Sequence, residues 1–269
     1  MKLKTLLLAS AGLFLVACAT NPLTGKKRLS VISEDNYLIP SAYAEYSTFL
    51  QQSKVITGTS DAQMVNRVGA KIKNAAIKWM KSKGMNEQIK NYEWEYHLVQ
   101  NNQANAWCMP GGKIAVFNGI LPITKNESGL ATVMGHEVAH ALLSHGQQRV
   151  QAAMGQSIVG NVLGAATADS SAKTQQALAL AYGLTSNAGM LAYGRSHESE
   201  ADRLGLILMA VAGYNPNDAV DFWQRMSSQT GGSSTPEFFS THPSDKTRIR
   251  NIKKNIPEAQ SEARKLGAK

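Results

Sequence analysis

Apolar and polar residues follow a helical period along most of the chain. Between 61 and 80 the apolar positions recur every three or four residues, the spacing of an amphipathic helix: Met64, Val65, Val68, Ile72, Ala76 and Ile77. Similar patterns predict helices at 34–52 (interrupted early by Pro40), 127–149, 196–212, 216–226 and 244–255. The chain is therefore predicted to be mostly helical.

Two stretches depart from this period. Tyr92–Val99 is rich in aromatic residues and predicts a strand. Asn105–Met109 and Lys113–Phe117 flank a Pro-Gly-Gly turn, which predicts a hairpin or an irregular edge. No internal repeat is visible. We expect one α+β domain, predominantly α-helical, with a small β-sheet.

The first residues have the order of a bacterial lipoprotein signal. Lys2 and Lys4 precede the apolar run Leu6–Val16, which is shorter than the roughly 20 residues that a membrane-spanning helix needs. The run ends in Leu-Val-Ala-Cys, which resembles a lipobox whose cysteine, Cys18, is lipidated. The alternative is an ordinary secretory signal followed by an incidental cysteine.

The lipobox predicts the organisation and location of the chain. We expect a signal peptide at 1–17, a lipidated tether at 18–30, a peptidase domain at 31–257 and a polar tail at 258–269. Several acyl chains on Cys18 would give stable membrane anchoring. Ala19 stands where an Asp would resemble an inner-membrane retention signal, so an outer membrane, with the protein facing the periplasm, is favoured.

The net charge and the cysteine content limit the kinds of partner and bond that the chain is expected to have. The net charge is +9, from 28 Lys and Arg against 19 Asp and Glu, but the basic residues are scattered. We therefore expect a membrane-proximal surface and no nucleic-acid partner. With Cys18 acylated, Cys108 has no disulfide partner and is expected to be a small packed side chain.

The segment His136-Glu137-Val138-Ala139-His140 carries the clearest chemistry. Histidines four apart on a helix project from one face, a spacing that suits two nitrogens on one Zn²⁺. Glu137 follows the first ligand and can reach a zinc-bound water instead of the metal. The alternative is a pair of structural histidines on an exposed helix.

A second acidic motif strengthens the zinc hypothesis, because a catalytic zinc needs a third protein ligand and one open position. Glu198 and Asp202 are again four apart, at the start of a predicted helix. We expect Glu198 to be the third ligand of one Zn²⁺ per chain, and Asp202 to accept a hydrogen bond from a ligand histidine. Glu200, which points about 160° away from Asp202, is the weaker ligand candidate. First-turn acids are also common for purely electrostatic reasons.

Together these motifs resemble the gluzincin zinc metallopeptidases of the HtpX, BepA and Oma type, which include the CAAX prenyl endopeptidases. The resemblance extends to Asn21–Arg28, to Asn105-Ala106 with Pro110–Ile114 and Asn118–Ile120, and to Thr241–Ser244. It implies a single zincin-type domain. Because no segment is long and apolar enough to span a membrane, the lipoprotein branch of the family fits best. A metzincin pattern fails, because Leu143 and Gly146 stand where it requires Gly and His.

The predicted reaction is peptide hydrolysis, with Glu137 as general base. His242 is the first candidate to stabilise the oxyanion, and Arg195 is the second. The other histidines (His97, His145 and His197) are expected to be surface or packing residues.

The predicted substrates are extended segments of misfolded or unassembled envelope proteins, bound along a strand edge. Lys113–Asn118 is the edge candidate, with a buried strand as the alternative. The apolar stretch Val150–Tyr193 is expected to be core and lid. A different class of function, a chaperone-like assembly factor with a latent or structural zinc site, stays open. The sequence gives no indication of oligomeric state.

Overall fold

The computed structural model describes residues 18–20, 23, 25, 27–29, 34–150, 194–229, 238 and 247–268. Six helices of more than ten residues account for most of this part of the chain. They are α1 (Ile39–Gln52), α2 (Ser60–Ser82), α3 (Glu127–Leu142), α4 (194–211), α5 (Asp218–Ser228) and α6 (Arg248–Lys265). Shorter helical turns lie at Glu34–Leu38, Asn86–Ile89, Asn118–Ile120, Leu121–Thr124 and 145–150. The predicted interruption at Pro40 is where α1 begins.

The strands form two small sheets. β1 (Cys18–Thr20) pairs with β2 (Lys27–Leu29). The second sheet contains β3 (Val55–Ile56), β4 (Glu95–Val99), β5 (Ala106–Met109) and β6 (Lys113–Phe117), in the order β3-β4-β6-β5. β4 and β6 are parallel and the other pairs are antiparallel. The predominantly helical fold with one small mixed sheet confirms the predicted fold class.

Strand β6 is an interior strand, so its prediction as a substrate-binding edge was wrong. It pairs with β4 on one side and with β5 on the other, and all five of its residues are buried. A strand with both neighbours in place has no free row of backbone groups to offer a peptide. Among the described strands, β5 pairs with β6 alone and is therefore an edge.

Helix α3 lies at the centre of the molecule. It contacts α2, β5 and α5, and every residue from Gly129 to Leu142 is buried. A helix with apolar residues on every side is stable only when it is surrounded in this way. Its amino end is capped by Asn126, whose Oδ1 accepts a hydrogen bond from the Gly129 N–H at 2.9 Å.

Helices α3 and α4 cross at two glycines. A Cβ atom on Gly135 would lie 2.9 Å from the Gly205 carbonyl oxygen, and a Cβ on Gly205 would lie 2.9 Å from the His136 nitrogen. Neither position leaves room for a side chain. This close approach of the two backbones brings the acidic turn of α4 to the face of α3 that carries His136.

Helix α6 is longer than its sequence predicted. It continues through Pro257 to Lys265 instead of ending near residue 255. Its buried apolar residues are spaced as one helical face: Ile252, Ile256, Ala259 and Ala263. Residues 151–193, predicted as core and lid, lie outside the described residues.

Candidate metal centre and active site

Two histidines and a glutamate meet between helices α3 and α4. His136 and His140 lie one turn apart on α3, Glu198 lies in the second turn of the described part of α4, and all three are less than 7% exposed. One ligand atom from each lies within 4.8 Å of the others. Glu137, on the same turn of α3, is 3% exposed. The structure therefore brings together the three residues that the sequence nominated as ligands.

The spacing of these atoms fits a tetrahedral metal ion. The two Nε2 atoms are 3.1 Å apart, Glu198 Oε2 lies 3.3 Å from His136 Nε2, and Glu198 Oε1 lies 3.3 Å from His140 Nε2. A tetrahedral Zn²⁺ with ligands at about 2.0–2.1 Å has ligand-to-ligand edges of about 3.3–3.4 Å. Two imidazole nitrogens and one carboxylate thus suit zinc in number, chemistry and spacing.

Asp202 lies behind His136, on the side away from the ligand atoms. Its Oδ1 is 3.0 Å from His136 Nδ1 and 2.7 Å from Arg248 Nη2, so two donors converge on one carboxylate oxygen. A hydrogen bond from Nδ1–H leaves the lone pair of His136 on Nε2, which faces the other ligand atoms.

Arg248 is a residue of the site that the sequence reasoning missed. It is 5% exposed, its Nη2 lies 3.4 Å from Glu198 Oε2, and its guanidinium carbon lies 3.5 Å from the centre of the Trp223 ring. Arg248 is also the first residue of α6, where the helix dipole disfavours a cation. The sequence carried no signal for this role, because the helix was predicted to begin at residue 244 and the burial of Arg248 depends on the packing of distant segments.

The electrostatic field at the cluster favours positive charge. Burial alone would lower the pKa of His136, but its interactions with Asp202 and Glu198 outweigh burial and raise that pKa to about 9. Burial would raise the pKa of Asp202, but the Arg248 guanidinium and His136 hold it below its ordinary value. A site that stabilises an added proton in this way is also suited to a divalent cation.

The remaining histidines have different surroundings. His145 and His197 are fully buried and stacked, with ring centres 4.0 Å apart and an angle of 12°. Burial lowers the pKa of His145, and it lowers the pKa of His197 to about 3. His145 also contacts His140, a contact that the packing interpretation did not anticipate. His97 lies away from the site, where its Nδ1 is 3.0 Å from the Tyr46 hydroxyl.

Of the two residues predicted to stabilise the oxyanion, Arg195 lies among the described residues. Arg195 is exposed and lines a cleft together with Glu198, Asp202 and Arg248, at the same end of α4 as the candidate ligand. His242 lies outside the described residues.

A buried HExxH helix beside a small mixed sheet, with a glutamate from a later helix completing the donor set, defines a metallopeptidase of the gluzincin class. The chain belongs to peptidase family M48, whose sequence model matches residues 66–256. The predicted family and metallopeptidase class are thereby confirmed.

Relatives of the chain are found in mitochondria and in bacteria. The chain is 40% identical over 173 residues to the mitochondrial metalloendopeptidase OMA1 of Schizosaccharomyces pombe, covering 64% of this chain and 49% of that protein. It is 27% identical over 248 residues to the human OMA1 protein, covering 89% of this chain and 46% of that one. It is 28% identical over 165 residues to the beta-barrel assembly-enhancing protease of Escherichia coli, covering 58% and 33%. The chain spans about half the length of each of these OMA1 proteins and 33% of the bacterial protein.

In the part of the chain that the structure describes, no helix is both long enough and apolar enough to cross a bilayer.

Proposed function

We propose that this chain is a zinc-dependent endopeptidase that acts on misfolded or unassembled envelope proteins while anchored to the membrane by lipid on Cys18. The observation that carries the proposal is the triangle of His136 Nε2, His140 Nε2 and the Glu198 carboxylate, with edges of 3.1–3.3 Å. These residues would hold one zinc ion per chain. Three protein ligands leave a tetrahedral ion one open position, as catalytic sites require.

Glu137 is the proposed general base. Bound zinc would act as a Lewis acid, acidifying water and polarising the scissile carbonyl. Glu137 would accept the proton of the attacking water and pass it to the leaving amine. Its carboxylate is adjacent in sequence to a ligand and is buried, while three other residues supply the donor set. Arg195 and His242 stay candidates to stabilise the oxyanion.

The edge strand β5 is the proposed binding site for an extended peptide. Strand β5 packs against helix α3, which carries Glu137. A peptide lying along the free edge of β5 would therefore pass beside the helix that carries the proposed base. Backbone pairing with an edge binds peptides with little demand on their sequence, which suits unfolded substrates.

The proposed location is a bacterial envelope membrane, the outer one facing the periplasm. It rests on the lipobox-like Leu-Val-Ala-Cys order, with 1–17 as signal peptide and 18–30 as tether to a domain at 31–257. A lipid on Cys18 would tether the fold without a spanning helix.

A second candidate is assistance in protein assembly with infrequent cleavage. Its support is the similarity to the beta-barrel assembly-enhancing protease, a name that joins the two activities. Glu137 favours the peptidase, because a structural zinc site needs no base and leaves no position open.

The deciding experiment compares wild type with Glu137→Gln, Glu198→Ala and, as a control on the same helix, Glu127→Gln. Zinc content, thermal unfolding and cleavage of an unfolded protein are measured on each preparation. We expect about one zinc per wild-type chain, activity that a chelator abolishes, zinc lost in Glu198→Ala, and zinc retained with activity reduced about 10²–10⁴-fold in Glu137→Gln. Undiminished cleavage by Glu137→Gln would refute the mechanism and favour the assembly factor.

A further inference from the structure

A row of hydrogen-bonding groups extends from His140 away from the candidate metal site. His140 Nδ1 lies 2.8 Å from His145 Nδ1, and His145 Nε2 lies 3.1 Å from Glu200 Oε2. His145 is completely buried, and the Glu200 side chain is 17% exposed. The row therefore runs from the buried ligand histidine to a carboxylate near the surface.

The carboxylate determines the direction of every hydrogen bond in this row. An ionised Glu200 can only accept, so His145 must donate from Nε2–H. A neutral imidazole with its proton on Nε2 has an acceptor at Nδ1, which can then take the Nδ1–H of His140. His140 is left with its lone pair on Nε2, the atom that faces His136 and Glu198.

We propose that His145 and Glu200 are positioning residues that hold His140 in its metal-binding tautomer. The proposal rests on the zinc site proposed above. His136 Nδ1 contacts the carboxylate of Asp202 directly. His140 Nδ1 instead contacts the ring of His145, which in turn contacts the carboxylate of Glu200. Glu200 is then neither a ligand nor a surface acid, although it lies between Glu198 and Asp202 on the same turn of α4.

The backbone at the end of α3 directs His145 toward His140. Were the helix to continue, His145 would stand five residues on and point roughly 140° away from His140. Ser144 instead adopts a φ of 55°, in the left-handed region that residues other than glycine rarely occupy. The chain turns there and starts a new helical segment at 145–150. Stacking on His197 then holds the plane of the His145 ring.

The first test is the tautomer of each ring in the zinc-loaded full chain, measured by ¹⁵N NMR of the imidazole nitrogens. The six histidines are assigned by single substitutions. We expect His140 to carry its proton on Nδ1 and His145 to carry its proton on Nε2. A proton on Nδ1 of His145 would overturn the proposal, because that ring would then have no acceptor for His140.

The second test compares the zinc affinity of His145→Phe and His145→Asn by competition with a chelator. Phe preserves the ring and its stacking but has no acceptor, whereas Asn places Oδ1 where histidine carries Nδ1. We expect zinc affinity to fall about 10–100-fold in His145→Phe and to be largely restored in His145→Asn. A purely structural ring predicts the opposite order, because Asn leaves a cavity and Phe does not.

The matched control is His97→Phe, which removes a histidine that lies away from the site. This variant should bind zinc as wild type does. Thermal unfolding is measured for each variant. If His145→Phe does not fold, the zinc affinity of Glu200→Ala and the tautomers of the wild-type rings test the proposal instead. Wild-type zinc affinity in His145→Phe and Glu200→Ala would overturn the positioning role of His145 and Glu200 and leave the proposed peptidase intact. A wild-type chain that binds no zinc would overturn both.

Discussion

The guanidinium carbon of Arg248 lies 3.5 Å from the centre of the Trp223 ring, while its Nη2 contacts Asp202 Oδ1 at 2.7 Å. The arginine thus packs on an aromatic ring and also neutralises a buried carboxylate. The acidic turn of α4 is held in place by a residue that follows it by more than forty positions.

Replacing Arg248 should destabilise the metal-free protein. Arg248→Met keeps an apolar stem over Trp223 but leaves two buried carboxylates without their cation, a change that costs about 3–5 kcal/mol. Arg248→Lys keeps the charge without the planar fork and should lose less. Denaturant unfolding with and without zinc checks this, because zinc should recover part of the loss in Arg248→Met. An unchanged stability of that variant in chelator would contradict the proposed role.

The crossing of α3 and α4 should tolerate no methyl group at Gly205. In Gly205→Ala the new Cβ would meet the His136 backbone at 2.9 Å, so the helices must separate. We expect a loss of about 1–3 kcal/mol in unfolding free energy, together with weaker zinc binding. Gly194→Ala, on the same helix, is the control: among the described residues no atom lies within 4 Å of its Cβ position, so it should gain up to about 1 kcal/mol. Equal behaviour of the two variants would show that the close approach is unimportant.

The ion pair that joins α6 to the residue following α2 should depend on pH through Glu262. Lys265 and Lys83 donate hydrogen bonds to this carboxylate and lower its pKa to about 2, from an ordinary value of 4.5. Because the folded-state pKa is depressed, the stabilisation is complete above about pH 4.5 and is lost as the pH falls toward 2. Thermal unfolding between pH 2 and 6 should show a weaker acid dependence in Glu262→Gln than in wild type. Glu45→Gln, on the exposed face of α1, should leave the wild-type dependence unchanged.

Lipidation at Cys18 is tested by Cys18→Ala. The variant should lose acyl labelling and should either leave the membrane fraction or accumulate as an uncleaved precursor, because the lipobox cysteine is the acylated residue. Cys108→Ala should label as wild type does. Labelling of Cys18→Ala at the wild-type level would eliminate the lipoprotein proposal.

The sequence was most informative where the relevant geometry is local. A helix places residues four apart on one face whatever surrounds it, so spacing alone pairs His136 with His140, and Glu198 with Asp202. The hairpin of β5 and β6 was predictable for the same reason, since Pro110-Gly111-Gly112 is a turn between two short apolar segments.

Longer-range relationships were less accessible. The helical face of α6 is visible in the sequence, but Pro257 indicates an end to the helix, because the loss of a backbone hydrogen bond is local and the packing that outweighs it is not. Similarly, the apolar pattern of β6 does not reveal that two other strands flank it.

The amino-acid sequence alone therefore determined the candidate ligands, the proposed base and the mostly helical fold, each through spacing within one segment. The packing of distant segments determined which charges meet. Arg248 reaches Asp202 only because α6 docks beside α4, and His145 reaches Glu200 only because the chain reverses at Ser144. Helical periodicity extends over a few residues, whereas a buried charge is stabilised by whichever partner the folded chain brings within about 3–4 Å.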